Sequence, residues 1–289
     1  MSTEIDRFAL DQWYVVASGV ELPPGSRRET ELLDRPIMVD RDGAGVATVR
    51  EGPAGNGAGP SLPCQDRYGY VWTTLGDPDR VLFDMPEFEE PGRRLVICGG
   101  VTVRTSGPRI VENFLDLAHF PYVHRGVLGT EDSTEVLSYK VEHRADVDEI
   151  WATECGFEQP QAMAASEGAA SVDYLYRVAQ PFSAVLYKSS PGMAGAFDLI
   201  GIFVQPRRET LCDAHAFMLV YDDVSTDDYL VQWQQSIFLQ DRVILENQRP
   251  LRLPLKRTAE LPIPADASSL AYRRWLRERG LTYGVEPAA

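Results

Sequence analysis

Two of the four histidines in this 289-residue chain lie in one run, Asn113-Phe114-Leu115-Asp116-Leu117-Ala118-His119-Phe120-Pro121-Tyr122-Val123-His124. Two imidazoles and one carboxylate on one side of a ferrous ion leave positions open for dioxygen, the ligand set of non-haem iron oxygenases. Asp116 and His119 are three apart and would share a helix face. His119 and His124 are five apart, which on an unbroken helix puts them about 140° apart, too far round to meet one ion. Pro121 alters that expectation. It cannot continue the hydrogen-bond ladder, so the helix kinks or ends there and His124 can swing back. A carboxylate must come from elsewhere. Asp241, in Leu239-Gln240-Asp241-Arg242, follows Ile237 and Phe238 and would face a sheet from the middle of a long helix. Asp227, Asp228 and Glu246 are rivals, although the first two suit a helix start for dipole reasons. On spacing alone, a histidine pair beside aromatic residues also fits a hydrogen-bonded core. No HExxH, GxSxG, Walker loop or post-strand GxGxxG competes for the chemistry.

The elements that must position these groups fall into two regions, 1–95 and 96–289. In the first, Trp13 to Ala17, Pro36 to Val39, Val46 to Val49 and Tyr70 to Thr74 are short β-branched or aromatic runs. Gly52 to Pro60 holds too many glycines and prolines for a helix or central strand, so a loop is expected. Turns are expected at Gly76–Asp79 and Pro86–Pro91. The whole reads as a turn-rich β subdomain with poor core content. In the second region a helical stretch over Arg109 to His124, cut at Pro121, precedes strand-like segments at Ser138–His143, Ile150–Cys155, Val172–Val178, Phe182–Ser189, Leu199–Gln205 and Ala214–Tyr221. Val172, Tyr174, Tyr176 and Val178 alternate with other residues, the period of a strand with one buried face. Short connections point to antiparallel pairing. A long helix over 226–249, capped by Ser225 with Asp228, carries Leu230, Trp233, Ile237, Ile244 and Leu245 at helical spacing, and Pro250 ends it. The fold class is therefore α+β, an antiparallel sheet around one long helix. Phe182, Tyr187, Phe203 and Phe217 read as core, and the arginines of 252–257 and 273–279 as solvated surface.

Composition narrows the function. With 28 basic and 43 acidic residues the net charge is −15, which argues against a general nucleic-acid binder. No apolar run reaches the ~20 residues of a membrane span. No secretory signal is evident, and four scattered cysteines suggest reduced thiols, so a cytoplasmic location is expected.

The run ENFLDLAHFPYVH, followed far downstream by QDRVILENQ, resembles the catalytic domain of Rieske-type non-haem iron oxygenases. The resemblance implies a helix-grip catalytic domain in which His119, His124 and Asp241 bind one Fe(2+). It implies that Asp116 is the acid that passes electrons from a Rieske cluster to the iron. DQWYVVASGVEL and DRYGYVWTTLGDP resemble the first and last strands of a Rieske domain. Between them the pattern departs. A Rieske [2Fe–2S] centre takes two Cys and two His, whereas residues 50–67 hold one Cys, Cys64, and no histidine precedes His119. No in-chain [2Fe–2S] cluster is therefore expected, and region 1–95 reads as a degenerate Rieske-like domain.

A narrower resemblance, carried by DVDEIWATECGFEQPQA, ENQRP and AYRRWLRERGLTYGV, is to the cluster-lacking subunits of bacterial 7-methylxanthine N7-demethylases. It implies oxidative N-demethylation of a methylxanthine, with loss of formaldehyde. NAD(P)H electrons would arrive through a reductase carrying an extra Rieske domain. It also implies a glutathione-S-transferase-like partner subunit, and a homotrimer or hetero-oligomer. A non-catalytic scaffold subunit and an oxygenase of another small heterocyclic or aromatic compound are the alternatives. The acidic charge means that an acidic donor would have to dock through basic residues.

Overall fold

The computed structural model describes residues 5–52, 59–159 and 170–287, so most of the expected Gly52–Pro60 loop lies outside the described residues. Alternation along Val172, Tyr174, Tyr176 and Val178 has the expected consequence: all four are at most 2% exposed on one face of the strand Ala170–Gln180. That strand belongs to a seven-stranded antiparallel sheet. Its spatial order is Arg94–Val103, Leu211–Val220, Phe197–Arg208, Ser183–Ser189, Ala170–Gln180, Glu149–Gln159, Lys140–Arg144. The strand Arg94–Val103, not expected from the sequence, closes one edge by pairing with Leu211–Val220. Its two adjacent glycines, Gly99 and Gly100, interrupt the hydrophobic pattern and sit at a shift in register.

The long helix spans Asp227–Asn247 and packs against the Arg94–Val103 strand. Its cap is Thr226 rather than Ser225: the Thr226 hydroxyl accepts from the Tyr229 N–H at 3.3 Å. The buried stripe is Leu230, Gln234, Phe238, Asp241 and Leu245. Spacings of three and four make this one helix face. Ile244, expected inside, is 48% exposed, and two polar residues occupy the stripe instead.

The Arg109–His124 stretch differs from expectation. The helix Gly107–Leu115 stops before Asp116, and a separate short helix, Phe120–Val123, follows. The break therefore precedes Pro121. That proline sits in the first turn of the second helix, where no N–H is required and its fixed φ is suited to helix initiation.

In the N-terminal region, Tyr14–Ser18, Tyr70–Thr73 and Cys64–Arg67 form a three-stranded sheet. Ser26–Leu32, Arg35–Arg41, Ala47–Glu51 and Ser61–Leu62 form a four-stranded one. Ser26–Leu32 is charged and did not read as a strand. Its hairpin turns on Leu33 and Asp34, both at positive φ as tight hairpin turns require. Their backbone N–H groups bond Pro206 and Arg207 carbonyls at 2.7 and 2.8 Å, so the turn is docked on the large sheet. The expectation of a poor core is corrected in the same way. Trp13, Tyr70, Trp72 and Phe83 pack in one cluster with Val185, Leu199, Phe203 and Phe217, because the small sheets bury their apolar faces against the large one. Pro86–Glu89, expected as a turn, is a 3₁₀ turn.

The 273–279 arginines are not all surface. Arg273 bonds Glu112 and Glu260, and Arg109, 1% exposed, bonds the same two acids. This network ties the helix Gly107–Leu115 to Ala267–Glu278. Among the described residues, no helix is long and apolar enough to cross a membrane.

Arg177 anchors the N-terminal region to the sheet. It grips Glu149 with two bonds of 2.6 and 2.9 Å and donates to the Asp84 carbonyl at 2.8 Å. Arg177→Met should cost about 3–5 kcal/mol in chemical denaturation, since it strands a buried carboxylate. The double variant Arg177→Met/Glu149→Leu should recover most of that loss.

Candidate metal centre

The helix Gly107–Leu115 runs nearly buried and ends where Asp116 takes an extended conformation, φ −86° and ψ 123°. The Asp116 Oδ1 then accepts from the Ala118 N–H at 2.7 Å, a local turn that carries the chain round to His119. His119 and His124 bracket the short helix Phe120–Val123, one at each cap. Gly129 closes over it: a Cβ there would lie 2.6 Å from the Pro121 nitrogen, so a larger residue would push the helix out of place.

Three ligand atoms converge. His119 Nε2 and His124 Nε2 are 3.1 Å apart, and Asp241 Oδ1 is 3.2 Å from the first and 3.1 Å from the second. Two ligands at about 2.1 Å from a metal and at right angles to one another are about 3.0 Å apart, so three such atoms mark one face of an octahedron. Two neutral nitrogen donors and one carboxylate are a borderline set that suits ferrous iron, and the opposite face stays open. The donor set and its spacing fit the metal. His124 is 1% and Asp241 7% exposed.

Neighbouring groups aim these atoms. His124 Nδ1 donates to Gln240 Oε1 at 2.7 Å, which assigns the proton to Nδ1 and frees the Nε2 lone pair. Asn113 Nδ2 donates to Asp241 Oδ1 at 3.4 Å, a long contact. Neither role was foreseen. Gln240 adjoins Asp241 in sequence, but only the packed geometry turns its amide toward a histidine 116 positions away. His119 Nδ1 is 3.4 Å from Asp116 Oδ2, an ion-pair contact without hydrogen-bond alignment. Burial alone would push the His119 imidazole down, but Asp116 and Asp241 outweigh it and lift it to about 9. Burial would raise the Asp241 carboxyl, yet the two imidazoles hold it below the usual range. A metal entering here takes the place of a proton.

Of the rival acids, Glu246 accepts from the Arg104 N–H and from Arg242, and Asp227 lies near Arg94; neither reaches the triad. His143 pairs with Asp148, and His215, buried, lies 3.3 Å from Gln205. The triad opens on a cavity between the long helix and the sheet. Phe114, Phe120 and Phe238 line it beside the triad, and Leu186 and Ile202 are apolar lining on the sheet side. Phe182, Tyr187, Phe203 and Phe217 do not line it; all four are core.

Residues 103–281 match the family described as the vanillate O-demethylase oxygenase C-terminal domain. A probable methylxanthine N7-demethylase, NdmC, of Pseudomonas sp. strain TJI-51 is 44% identical over 96% of this chain and 97% of that protein. Methylxanthine N1-demethylase NdmA of Pseudomonas putida is 26% identical, over 74% of this chain and 59% of its own length. Two solved structures share the fold. NdmA of Pseudomonas putida CBB5 with caffeine has a TM-score of 0.73 at 18% identity, covering 94% of this chain and 91% of that one. Dicamba monooxygenase bound to dicamba has a TM-score of 0.71 at 20% identity, covering 94% and 97%.

His119→Ala should abolish stoichiometric binding of a divalent first-row metal, read by metal analysis after dialysis. Gln240→Leu should keep the site but weaken it by about 10–100-fold, because the His124 tautomer is no longer imposed.

Proposed function

The chain belongs to the vanillate O-demethylase oxygenase family of Rieske-type non-haem iron monooxygenases, and from that membership we propose that it removes an N-methyl group from a methylxanthine, converting 7-methylxanthine to xanthine. The observation that carries this reading is the 44% identity, over nearly the whole of both chains, to a probable methylxanthine N7-demethylase. The converging His119, His124 and Asp241 support it, because a subunit with no redox role has no use for three such atoms under apolar cover. The reaction consumes dioxygen, two electrons and two protons. The N–CH₃ group becomes N–CH₂OH with release of water, and the carbinol then breaks its C–N bond to give N–H and formaldehyde.

His119, His124 and Asp241 would hold one ferrous ion, which supplies the activation of dioxygen and the transfer of one oxygen atom to the methyl carbon. Gln240 and Asn113 orient two of those ligands. The walls of Phe114, Phe120, Leu186 and Ile202 keep bulk water from the reacting methyl and stack against a flat heterocycle. Asp116 stands on the opposite side of the His119 ring from the metal position, half-buried and next to a second, more open groove. That placement suits it to relay electrons into the ligand imidazole.

The first 118 residues contain no histidine, which supports a degenerate Rieske-like domain over 1–95 and an iron domain over 96–289. The electrons then come from NAD(P)H through a reductase whose own Rieske domain docks in trans. The groove beside Asp116 is lined by Arg257, Arg273, Arg274 and Arg277 and by exposed Leu261 and Ile244. Glu112, Glu260 and Asp266 line it too, so its charge is mixed, and the apolar groups among those charges suit a docking protein. A glutathione-S-transferase-like subunit, a trimeric or hetero-oligomeric assembly and a cytoplasmic location complete the reading.

With the reductase and NADH, the iron-loaded protein should release formaldehyde from 7-methylxanthine in step with xanthine. Asp116→Asn should keep its iron but lose about 10–100-fold or more in turnover. Iron-loaded protein that releases no formaldehyde with any co-purifying reductase would sink the reading.

A further inference from the structure

From Leu230 to Asp241 the helical wall of the cavity rises about 16 Å. The triad takes the Asp241 end. At the Leu230 end the lining turns from apolar to charged. Lys188 and Asp198 are direct partners across the strands Ser183–Ser189 and Phe197–Arg208, and both face the cavity. Asp198 Oδ1 accepts from the Tyr221 N–H at 2.9 Å, beside Val220, which packs with Leu230. Asp222 follows in the same loop and also lines the cavity. Its Oδ1 accepts from the Val224 and Ser225 N–H groups at 2.9 and 2.8 Å. Its Oδ2 is buried with no hydrogen-bond partner among the described residues. Tyr174, the cross-strand neighbour of Lys188, is 1% exposed, and its hydroxyl likewise has no partner among the described residues. Buried polar groups left in this state are expected to meet a ligand or water.

Burial pushes Lys188 down to about 8, with Asp198 holding it up, so it is still an ammonium at neutral pH. Burial would raise the Asp222 carboxyl, but the Ser225 and Val224 N–H groups hold it below the usual range. Lys188 and Arg93 both act on Asp198, and Arg94 acts on Asp222. Across the strands the donors Tyr174 and Lys188 come first and the acceptors Asp198 and Asp222 follow, so a donor and an acceptor stand side by side at Lys188 and Asp198.

We propose that Lys188, Asp198 and Asp222 select a neutral ring edge on which C=O and N–H groups alternate, the imide edge of a xanthine, and exclude aromatic carboxylates and sulfonates. The proposal rests on the methylxanthine reading above and says how the site would enforce it. An anionic substrate would bring a like charge against two buried carboxyls and could offer Asp222 Oδ2 no hydrogen. An imide offers its N–H to a carboxylate and its carbonyl to Lys188 or Tyr174, with the N7 methyl at the opposite end of the bicycle near the triad. Methylation of the imide nitrogens removes the donor and sets a methyl against a buried charge.

The test is equilibrium binding by calorimetry to the iron-loaded protein, without reductase. The ligands are 7-methylxanthine, 1,3,7-trimethylxanthine and 4-methoxybenzoate. The parent should prefer 7-methylxanthine by about tenfold or more over the trimethyl compound and should not bind 4-methoxybenzoate measurably. Asp222→Asn should lose about tenfold or more for 7-methylxanthine, lose little for the trimethyl compound, and gain affinity for 4-methoxybenzoate. If that variant unfolds, Asp198→Asn carries the same expectation. Parental affinity for 4-methoxybenzoate equal to that for 7-methylxanthine overturns the charge selection. So does an unchanged 7-methylxanthine affinity in the variants. A parent that holds iron but binds neither xanthine overturns the functional reading beneath it.

Discussion

Two imidazole nitrogens and a carboxylate oxygen are held within 3.2 Å of one another, almost out of water. Without a positive charge among them that arrangement is costly, since three lone pairs converge where little water can separate them. Asp116 and Asp241 lift His119 above its ordinary range, and the two imidazoles hold Asp241 below its own. Much of the surrounding architecture serves to keep the three atoms converged. The break at Asp116 turns the chain, the four-residue helix sets the two histidines at its ends, and the long helix brings Asp241 across. Gln240 fixes the tautomer of His124, and Gly129 leaves room for the short helix.

The N-terminal region is part of this support rather than an appendage. Its strands bury Tyr70, Trp72 and Trp13 against the back of the large sheet, the face away from the cavity. The hairpin turn at Leu33 and Asp34 extends that attachment through backbone hydrogen bonds. Arg177 reaches from the sheet to Glu149 and to the Asp84 carbonyl, joining the two regions at a buried charge. The sheet that forms one wall of the cavity is therefore covered on both faces, which accounts for strands such as Ser183–Ser189 being buried at nearly every position.

Along the cavity the two ends differ in kind. Near the triad the walls are aromatic and aliphatic, suited to a flat ring and to excluding water. Near Leu230 they carry buried charges, and the Tyr174 and Tyr176 hydroxyls, which have no partner among the described residues, stand between the two ends. A pocket with such polarity orients its ligand lengthwise, because only one end of an asymmetric heterocycle can satisfy the buried polar groups. Orientation in turn decides which end of a ligand reaches the triad.

Much of this was legible in the residues. Period-two alternation from Val172 to Val178 and the apolar spacing from Leu230 to Leu245 specified a half-buried strand and a long helix, since each period leaves one face apolar. The histidine pair and Asp241 could be named from residue type, spacing and family pattern together. Other features were not legible, and each for a physical reason. Pro121 looked like a helix breaker but initiates a helix, because a proline's effect depends on whether its N–H position lies inside a turn or at its start. Ser26–Leu32 did not read as a strand because its charges mask the pattern, while Arg27 pairs with Asp40 on the neighbouring strand. Arg273 looked like surface because burial of an arginine requires acids, Glu112 and Glu260, that only the fold brings beside it. Lys188, Asp198, Asp222 and Gln240 could not be found at all from the chain. The sequence determined which residues are able to bind, donate and accept; the tertiary structure alone decided which of them meet. Meeting depends on strand register and helix rotation, and those are set by the packing of the whole core rather than by any local run of residues.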